Sequence, residues 1–380
     1  MYPHFLQFTM PKVGQAAVAV LLYFCFLDSP LLQPLQGWPL LYYLIPLAAV
    51  ALLSWYSRDP LGSGMVAVGY YVALSCADWA LRFAANRLGG TVLRVYHMVS
   101  LWGITPALLT IAVLVAAWFR ARRLYVTTYH ITTEKPLPGG HLRVVQLSDL
   151  HPNPRAALHR GRIPELREKL AALHADMLVF TGDVFDEFTP REEFDAFASF
   201  FAELEAPLGK YFVFGNHDLF HHWQDPCYDR ADLETAMAAA KVRVLEDVAV
   251  YAGQPPVRVV GRKDYMATDG RRAAAGELCR PDGTFTVWLD HEPRDLKAAA
   301  AAGADLILCG HTHGGQIWPG GVAGRMVNEM NYGRRQVGGA AAITSGGTGT
   351  WGYRLRTQGR TELVCVEVES VSPAAGSTKN

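Results

Sequence analysis

Charged residues are scarce in the first third of the chain. Up to Leu124 there are 8 basic side chains and 3 acidic ones, and the three acids are all aspartates. A water-exposed globular surface needs a much larger share of charged side chains. This scarcity argues against an ordinary soluble domain at residues 1–124 and favours a region embedded in a membrane.

Cysteine patterns of disulfide scaffolds and thiolate metal sites are also lacking. The six cysteines lie far apart, and none of them forms a Cys-x-x-Cys pair. Free thiols fit a reducing compartment.

An excess of basic residues is missing from the rest of the chain. After Leu124 there are 27 basic and 32 acidic side chains, a net charge of −5. This sign is wrong for binding nucleic-acid phosphates, so no nucleic-acid partner is expected. The glycine-rich segment 345–352 lacks the Lys-Ser/Thr pair of a nucleotide-binding phosphate loop.

Apolar stretches in the first 124 residues predict about four transmembrane helices. They run over residues 13–27, 38–57, 65–77 and 95–119. A spanning helix needs about 20 apolar residues, a length that the second and fourth stretches reach. If the amino terminus is inside, five basic residues face the cytoplasm and three face outward. The positive-inside rule then places the rest of the chain in the cytoplasm, next to the lipid bilayer as a partner.

Four parts make up the predicted domain organisation: an all-α transmembrane region at 1–124, a linker at 125–140, an α/β domain at 141–370 and a disordered tail at 371–380. The linker is predicted because this segment lacks a helical period and contains Pro136, Pro138, Gly139 and Gly140.

Strands and helices alternate in the predicted α/β domain. The strands are predicted from apolar runs rich in β-branched residues, at 142–147, 177–181, 211–214, 242–245, 257–260, 285–289, 306–309, 341–344 and 362–368. The helices are predicted at 162–173, 191–204, 231–240 and 293–302.

Polar side chains follow five of these strands, and together they predict a metal site. The candidate ligands carry carboxylate, amide or imidazole groups, and they are Asp149, His151, Asp183, Asn216, His291, His311 and His313. We expect the strands to bring them to one edge of a sheet, where open α/β sheets hold their ligands. Residues two apart on an extended strand end point the same way, so Asp149 and His151 can share one ion. Nitrogen and oxygen ligands without thiolate suit Mn, Fe, Zn or Co.

The order of these blocks resembles the calcineurin-like metallophosphoesterase superfamily. The blocks are Asp-x-His at 149–151, Gly-Asp at 182–183, Gly-Asn-His-Asp at 215–218, His291, and Gly-His-Thr-His at 310–313. The continuation Gly-Gly-Gln and the His-Glu-Pro at 291–293 resemble a membrane-associated branch that includes lipid-processing hydrolases. The resemblance covers about residues 142–368 and implies two packed mixed β-sheets flanked by helices.

This resemblance also implies a role for each block. One divalent metal ion takes Asp149, His151, Asp183 and His313, and a second takes Asp183, Asn216, His291 and His311, so that Asp183 bridges. A hydroxide between the two ions attacks the phosphorus atom. His217 is the implied proton donor to the leaving oxygen, and Asp186 is placed to orient it.

Three further residues bear on the substrate. In the protein-phosphatase branch an arginine that grips a terminal phosphate follows the second aspartate, and here that position is Glu187. A phosphodiester or pyrophosphate substrate is therefore favoured over a phosphoprotein. Arg354 and Arg356 are candidate contacts for an anionic headgroup, with simple surface charge as the alternative.

Two functions of different classes fit the sequence. The first is a membrane-anchored phosphoesterase that hydrolyses an amphiphilic or lipid-linked substrate. The second is a membrane sensor or transport component that binds a phosphorylated ligand without turnover. The full ligand set together with His217 favours the enzyme, because a binding protein has no need of a proton donor.

Overall fold

Two compact units make up the chain. The computed structural model describes residues 44, 63–100, 105–154, 156–219, 226–352 and 354–371. Residues 1–119 and 352–355 belong to the first unit, and residues 120–351 and 356–380 belong to the second. The predicted disordered tail lies at the very end of the chain, and residues 372–380 of it are outside the described residues.

Helices form most of the described part of the first unit: α1 (Ser63–Leu88), α2 (Gly90–Ser100) and α3 (Thr105–Arg122), whose last residues belong to the second unit. Among the described residues, α3 is the one helix long and apolar enough to cross a membrane. The predicted span at 65–77 lies within α1, which also contains Asp78, Arg82 and Arg87. The predicted span at 95–119 is divided between α2 and α3, and the first two predicted spans lie outside the described residues except for residue 44. The count of about four spans is therefore not supported here.

Within the described residues of the second unit, twelve strands occur together with seven helices. The strands are β1 (Leu124–Thr133), β2 (His141–Leu147), β3 (Met177–Thr181), β4 (Lys210–Val213), β5 (Val242–Val244), β6 (Val248–Ala252), β7 (Val257–Gly261), β8 (Phe285–Leu289), β9 (Leu306–Cys309), β10 (Gly333–Val337), β11 (Ala340–Thr344) and β12 (Thr361–Ser370). The helices are α4 (Ile163–Leu173), α5 (Arg191–Glu203), α6 (Asn216–Leu219), α7 (Arg230–Ala239), α8 (Ala275–Leu278), α9 (Leu296–Ala301) and α10 (Gly320–Val327).

The strands form two six-stranded mixed sheets, which confirms the predicted fold class of this unit. The strand orders are β1-β12-β2-β3-β4-β5 and β10-β11-β9-β8-β7-β6. Strands β2 to β5 are parallel in the first sheet, and β11, β9, β8 and β7 are parallel in the second. The antiparallel pairs are β12 with β2, β10 with β11, and β6 with β7.

Side-chain alternation along the strands produces three apolar layers. In β2, Leu142 and Val144 pack between the two sheets against side chains of β8 and β9, whereas Val145 and Leu147 pack on the opposite face with helices α4, α5 and α7. On the outer face of the second sheet, Trp288 packs with residues of α8 and α9. Both faces of each sheet are thus covered, which explains why the central strands are continuous apolar runs.

The predicted linker at 125–140 is wrong over most of its length. Residues 124–133 form β1, a ten-residue strand that pairs in parallel with β12, beginning with Leu124 opposite Thr361. Its side chains alternate between more and less buried positions, the pattern of a strand with one covered face. The segment is rich in threonine and tyrosine, residues that favour strands.

The polar blocks meet between the two sheets. The sequence predicted a single sheet edge, but β2, β3 and β4 belong to the first sheet, and β8 and β9 belong to the second. The site lies where the carboxyl ends of parallel strands from both sheets come together. Only the packing of the two sheets produces this arrangement.

Candidate metal centre

All seven predicted ligands meet in the structure. Within one group of ligand atoms, those of Asp149, His151 and His313 lie within 4.8 Å of one another, and the same holds for Asp183, His291 and His311. Asn216 joins the second group, because its Oδ1 lies 3.1 Å from Nδ1 of His311. The candidate ligands thus form two neighbouring groups in the structure.

Sharp turns, rather than extended strand ends, aim these side chains. Five of the seven ligands have a positive φ: 51° at Asp149, 42° at His151, 51° at Asp183, 71° at His311 and 49° at His313. This region is uncommon for residues other than glycine and occurs often at functional sites. The expected convergence is found, but the extended geometry used to predict it was wrong.

His151 is oriented for metal binding by a buried carboxylate. Its Nδ1–H donates to Oδ2 of Asp186 at 3.1 Å. Its Nε2 has no hydrogen-bond partner among the described residues and lies 3.7 Å from Oδ2 of Asp183. A carboxylate behind a ligating histidine fixes the ring and its tautomer, leaving the other nitrogen for the ion.

A backbone carbonyl orients His291 in the same way. Nδ1–H of His291 donates to the carbonyl oxygen of Thr181 at 2.8 Å, and Nε2 lies 3.1 Å from Oδ2 of Asp183. Nδ1 of His311 is 3.3 Å from the same Nε2. Four possible donor atoms therefore lie close together: the ring nitrogens of His291 and His311, Oδ2 of Asp183 and Oδ1 of Asn216.

The oxygen Oδ2 of Asp183 lies between the two ligand groups, within 3.7 Å of His151 and 3.1 Å of His291. Burial alone would raise the pKa of Asp183, but the surrounding histidines outweigh it and hold this pKa well below the ordinary value. An ionised carboxylate in this position is suited to bridge two cations.

A divalent cation fits these residues. Burial lowers the pKa of His311, and nearby His291 lowers it further, to about 4, so the ring is the neutral form that metals bind. At His291, burial is outweighed by Asp183 and Asp149, which raise its pKa well above the ordinary value. The carboxylates therefore favour a positive charge here, and a metal ion supplies one.

His217 is paired with Glu187, which corrects the predicted pairing with Asp186. Its Nδ1–H donates to Oε2 of Glu187 at 2.9 Å, while Asp186 is occupied by His151. Although burial opposes it, the charges of Asp183 and Glu187 raise the pKa of His217 to about 9. The sequence placed both acids near His217 but could not say which one contacts it.

Sequence reasoning gave no role to Asp218, which organises the backbone of the site. Its Oδ2 accepts hydrogen bonds from the backbone N–H groups of Asp183 and Gly215 at 2.7 and 2.8 Å. Its Oδ1 accepts from Val184 and Phe185 at 2.9 and 3.1 Å. One fully buried carboxylate thus ties the loop after β3 to the loop after β4. The sequence signal for this role is the aspartate that directly follows Asn-His in the Gly-Asn-His-Asp block at 215–218.

Glycine is required where the loop after β9 passes over the loop after β2. A Cβ at Gly310 would lie 1.9 Å from Oγ of Ser148 and 2.3 Å from Oδ2 of Asp149. The backbone N–H of His311 can then donate to both carboxylate oxygens of Asp149, at 2.9 and 3.1 Å. Gly310 therefore allows the two loops to approach this closely.

Gln316 positions an aromatic ring beside His217. Its Nε2 donates to the carbonyl oxygen of Trp351 at 3.0 Å, and the Trp351 N–H donates to its Oε1 at 3.1 Å. The ring centroids of Trp351 and His217 are 4.7 Å apart. Trp351 therefore forms one wall of the site on the side of the predicted proton donor.

The two predicted headgroup contacts differ in the structure. Arg356 is fully buried, and its guanidinium donates to the carbonyl oxygens of His313 and Gly349 at 2.7 and 2.9 Å. It supports the histidine loop instead of reaching a headgroup. Arg354 is exposed, and its contact with a headgroup stays a prediction.

Comparison with known proteins agrees with this geometry. The profile of the family described as calcineurin-like phosphoesterase matches residues 142–315. A protein of Aquifex aeolicus named uncharacterized metallophosphoesterase is 30% identical over 271 residues, which cover 68% of this chain and 98% of that protein. A Bos taurus protein named transmembrane protein with metallophosphoesterase domain is 28% identical over 323 residues, covering 80% of this chain and 71% of the relative. A Danio rerio protein of the same name is 28% identical over 233 residues, covering 58% and 52%. The chain therefore belongs to the calcineurin-like metallophosphoesterase family.

Proposed function

We propose that this protein is a membrane-anchored phosphoesterase with two metal ions, and that it hydrolyses a phosphodiester or pyrophosphate bond in an amphiphilic or lipid-linked substrate. The observation that carries the proposal is the meeting of seven buried or half-buried metal ligands beside His217. Membership of the family supports a metal-dependent hydrolase of phosphoric esters.

Two ions are proposed because the ligands form two sets that share Asp183. When bound, such a pair polarises the phosphoryl oxygens and lowers the pKa of a water molecule that it holds. The chain supplies the fixed geometry: Asp186 and the Thr181 carbonyl orient His151 and His291, and Asp218 holds the loop of Asp183. Mn, Fe, Zn and Co all suit these donors.

His217 has the properties of a general acid for the leaving oxygen. Glu187 occupies Nδ1, so the proton on Nε2 is the one available to a substrate. The raised pKa keeps that proton in place at neutral pH, and the ring lies beside the metal ligands, 5.4 Å from His151 between centroids. Protonating the leaving oxygen contributes a factor of about 100 to 10,000 in rate.

Glu187 supports the choice of substrate class. Its carboxylate is 5% exposed and bonds to His217, where phosphatases of this family that act on phosphoproteins carry an arginine. A terminal phosphate with two negative charges would be repelled at this position. A diester or pyrophosphate, which has one negative charge on each phosphorus, meets less repulsion.

Membrane anchoring is supported by the exposed apolar side chains of α1, α2 and α3. Trp79, Leu81, Phe83, Met98 and Phe119 are each more than half exposed, which is unfavourable in water and favourable in lipid. Relatives named transmembrane protein agree with this assignment. We propose a multi-pass arrangement with the catalytic unit in the cytoplasm, since Arg120, Arg122 and Arg123 directly follow the apolar part of α3.

A test of this function uses the full chain purified in detergent, with bis-p-nitrophenyl phosphate as substrate. Added Mn²⁺ is expected to give turnover that Asp183→Ala abolishes, because that carboxylate serves both ligand sets. Lys241→Ala, at an exposed lysine in a loop, is the matched control and is expected to retain full turnover. Binding of phosphorylated ligands without any hydrolysis would instead favour the sensor or transport component.

A further inference from the structure

An amphipathic helix follows the histidine loop directly. One face of α10 packs on the protein through glycine: a Cβ at Gly321 would lie 2.2 Å from Nε2 of Gln358, and a Cβ at Gly324 would lie 2.2 Å from Oδ1 of Asn331. The other face carries Val322 and Met326, which are 58% and 83% exposed. Soluble proteins rarely display contiguous apolar side chains in this way unless the surface is an interface.

Trp318 is a further exposed apolar side chain next to α10. It directly precedes the N-cap residue Pro319 and is 57% exposed. Val327 adds a further side chain that is 67% exposed, and Arg325, which is also exposed, lies among them. We call these five residues the α10 face. Tryptophan, aliphatic side chains and arginine together are typical of a helix that lies in a membrane interface.

The last residues of α3 contact segment 357–361, which also contacts the start of α10. Arg120 donates from Nε to the carbonyl oxygen of Gly359 at 2.9 Å, and Thr361 donates from Oγ1 to the carbonyl oxygen of Ala121 at 2.9 Å. The backbone N–H of Gly321 donates to Oε1 of Gln358 at 3.1 Å. Segment 357–361 therefore joins the end of the helix suited to cross a membrane to the start of α10.

This segment also contacts the histidine loop. A Cβ at Gly359 would lie 3.0 Å from the carbonyl oxygen of His313, and the backbone N–H of Thr357 donates to the carbonyl oxygen of Gln316 at 2.9 Å. Segment 357–361 thus contacts the end of α3, the start of α10 and the histidine loop.

Basic side chains border the same region. The guanidinium groups of Arg123 and Arg360 lie over the ring of Tyr125, at 4.9 and 5.1 Å from its centroid, and both arginines are exposed. Anionic headgroups attract such positive charges at a membrane surface. The combination of an apolar helix face and nearby arginines matches a lipid bilayer better than another protein surface.

We propose that the α10 face lies on the surface of the lipid bilayer and holds the neighbouring histidine loop close to it. This inference rests on the proposed membrane anchoring and adds a second, interfacial contact in the catalytic unit. An amphiphilic substrate could then reach the metal ligands with its apolar part still in the bilayer.

The test uses a fluorophore that responds to polarity, attached to the full chain in vesicles of phosphatidylcholine and phosphatidylglycerol. Met326→Cys carries the label, and Val248→Cys on β6 is the matched control, because it is an exposed aliphatic position on the opposite edge strand of the second sheet. Cys25, Cys76 and Cys227 are replaced by serine, since the cysteines at 279, 309 and 365 are buried. Turnover of bis-p-nitrophenyl phosphate verifies that each labelled protein has an intact metal centre.

Brominated phosphatidylcholine is expected to quench the label at position 326 and shift its emission to the blue, while the label at 248 keeps its emission. If the protein floats with the vesicles but position 326 is not quenched, the inference fails and the membrane anchoring stands. A blue-shifted label at 326 that is insensitive to brominated lipid overturns the inference in favour of a protein contact. Failure to float with vesicles refutes the anchoring itself, and the inference with it.

Discussion

At the scale of single residues, the adjacent acids Asp186 and Glu187 contact different histidines. Asp186 bonds to the candidate metal ligand His151, and Glu187 bonds to His217. Both carboxylates are buried, so neither acts as a simple surface charge. Substitutions at these neighbouring positions should therefore affect different measured quantities.

Asp186→Asn is expected to weaken metal affinity by a factor of about 10 to 100, the usual effect of losing a carboxylate behind a ligating histidine. The physical reason is that the ring of His151 loses the partner that fixes its orientation. Titration of turnover with Mn²⁺ measures the change. Glu187→Gln is the control and should leave the metal midpoint in place, whereas equal shifts in both variants would contradict separate roles.

Glu187→Gln is expected to move the alkaline limb of the kcat profile to lower pH. The negative charge of Glu187 contributes to the raised pKa of His217, so its removal lowers that pKa and the proton is lost earlier as pH rises. Measuring kcat against pH for both proteins at saturating metal tests this. An alkaline limb that does not move would show that His217 is not the group that titrates.

At the scale of secondary structure, the loops after β3 and β4 depend on one carboxylate. Asp218 accepts four backbone hydrogen bonds, two on each oxygen. Gly182 in the loop after β3 and Gly215 in the loop after β4 allow the two backbones to lie close enough for these bonds. The positive φ of Asp183 is held in this way.

Asp218→Asn is expected to destabilise the protein by about 2–6 kcal/mol. The amide NH₂ group cannot accept, so two buried N–H groups lose their acceptor at a cost of about 1–3 kcal/mol each. Denaturant unfolding of the metal-free protein measures the loss. Asp229→Asn, at the exposed N-cap of α7, is the matched control and should be nearly neutral because asparagine caps equally well.

Strands with continuous apolar runs were the easiest elements to predict. Residues 177–181, 285–289 and 306–309 are strands with the predicted bounds, because both faces of these strands are buried. Strand β1 was missed because its exposed face interrupts the apolar pattern. Helix α10 was missed because glycine, which disfavours isolated helices, allows it to pack closely on the protein.

At the scale of the whole molecule, two sheets share the metal centre, so bound metal should stabilise the catalytic unit. The loops after β2, β3 and β4 of the first sheet carry four of the seven candidate ligands. The loops after β8 and β9 of the second sheet carry the other three. A cation that binds only the folded state links these parts and shifts the unfolding equilibrium.

Removal of metal with EDTA is expected to lower the unfolding temperature, and excess Mn²⁺ should restore it. At a free metal concentration of about 100 times Kd the stabilisation is about 2.7 kcal/mol. Thermal unfolding followed by circular dichroism checks this in detergent. Asp183→Ala should show little response to either treatment, and a full response in that variant would contradict the shared ligand role.

The sequence by itself determined the ligand chemistry, the α/β alternation and the family, because donor atoms and apolar periodicity are properties of the residues. Tertiary structure decided the rest. Whether Asp186 or Glu187 contacts His217, that Arg356 is buried, and that two sheets rather than one form the site all depend on which distant segments pack together. Such contacts join residues far apart in the chain, and local patterns carry no information about them.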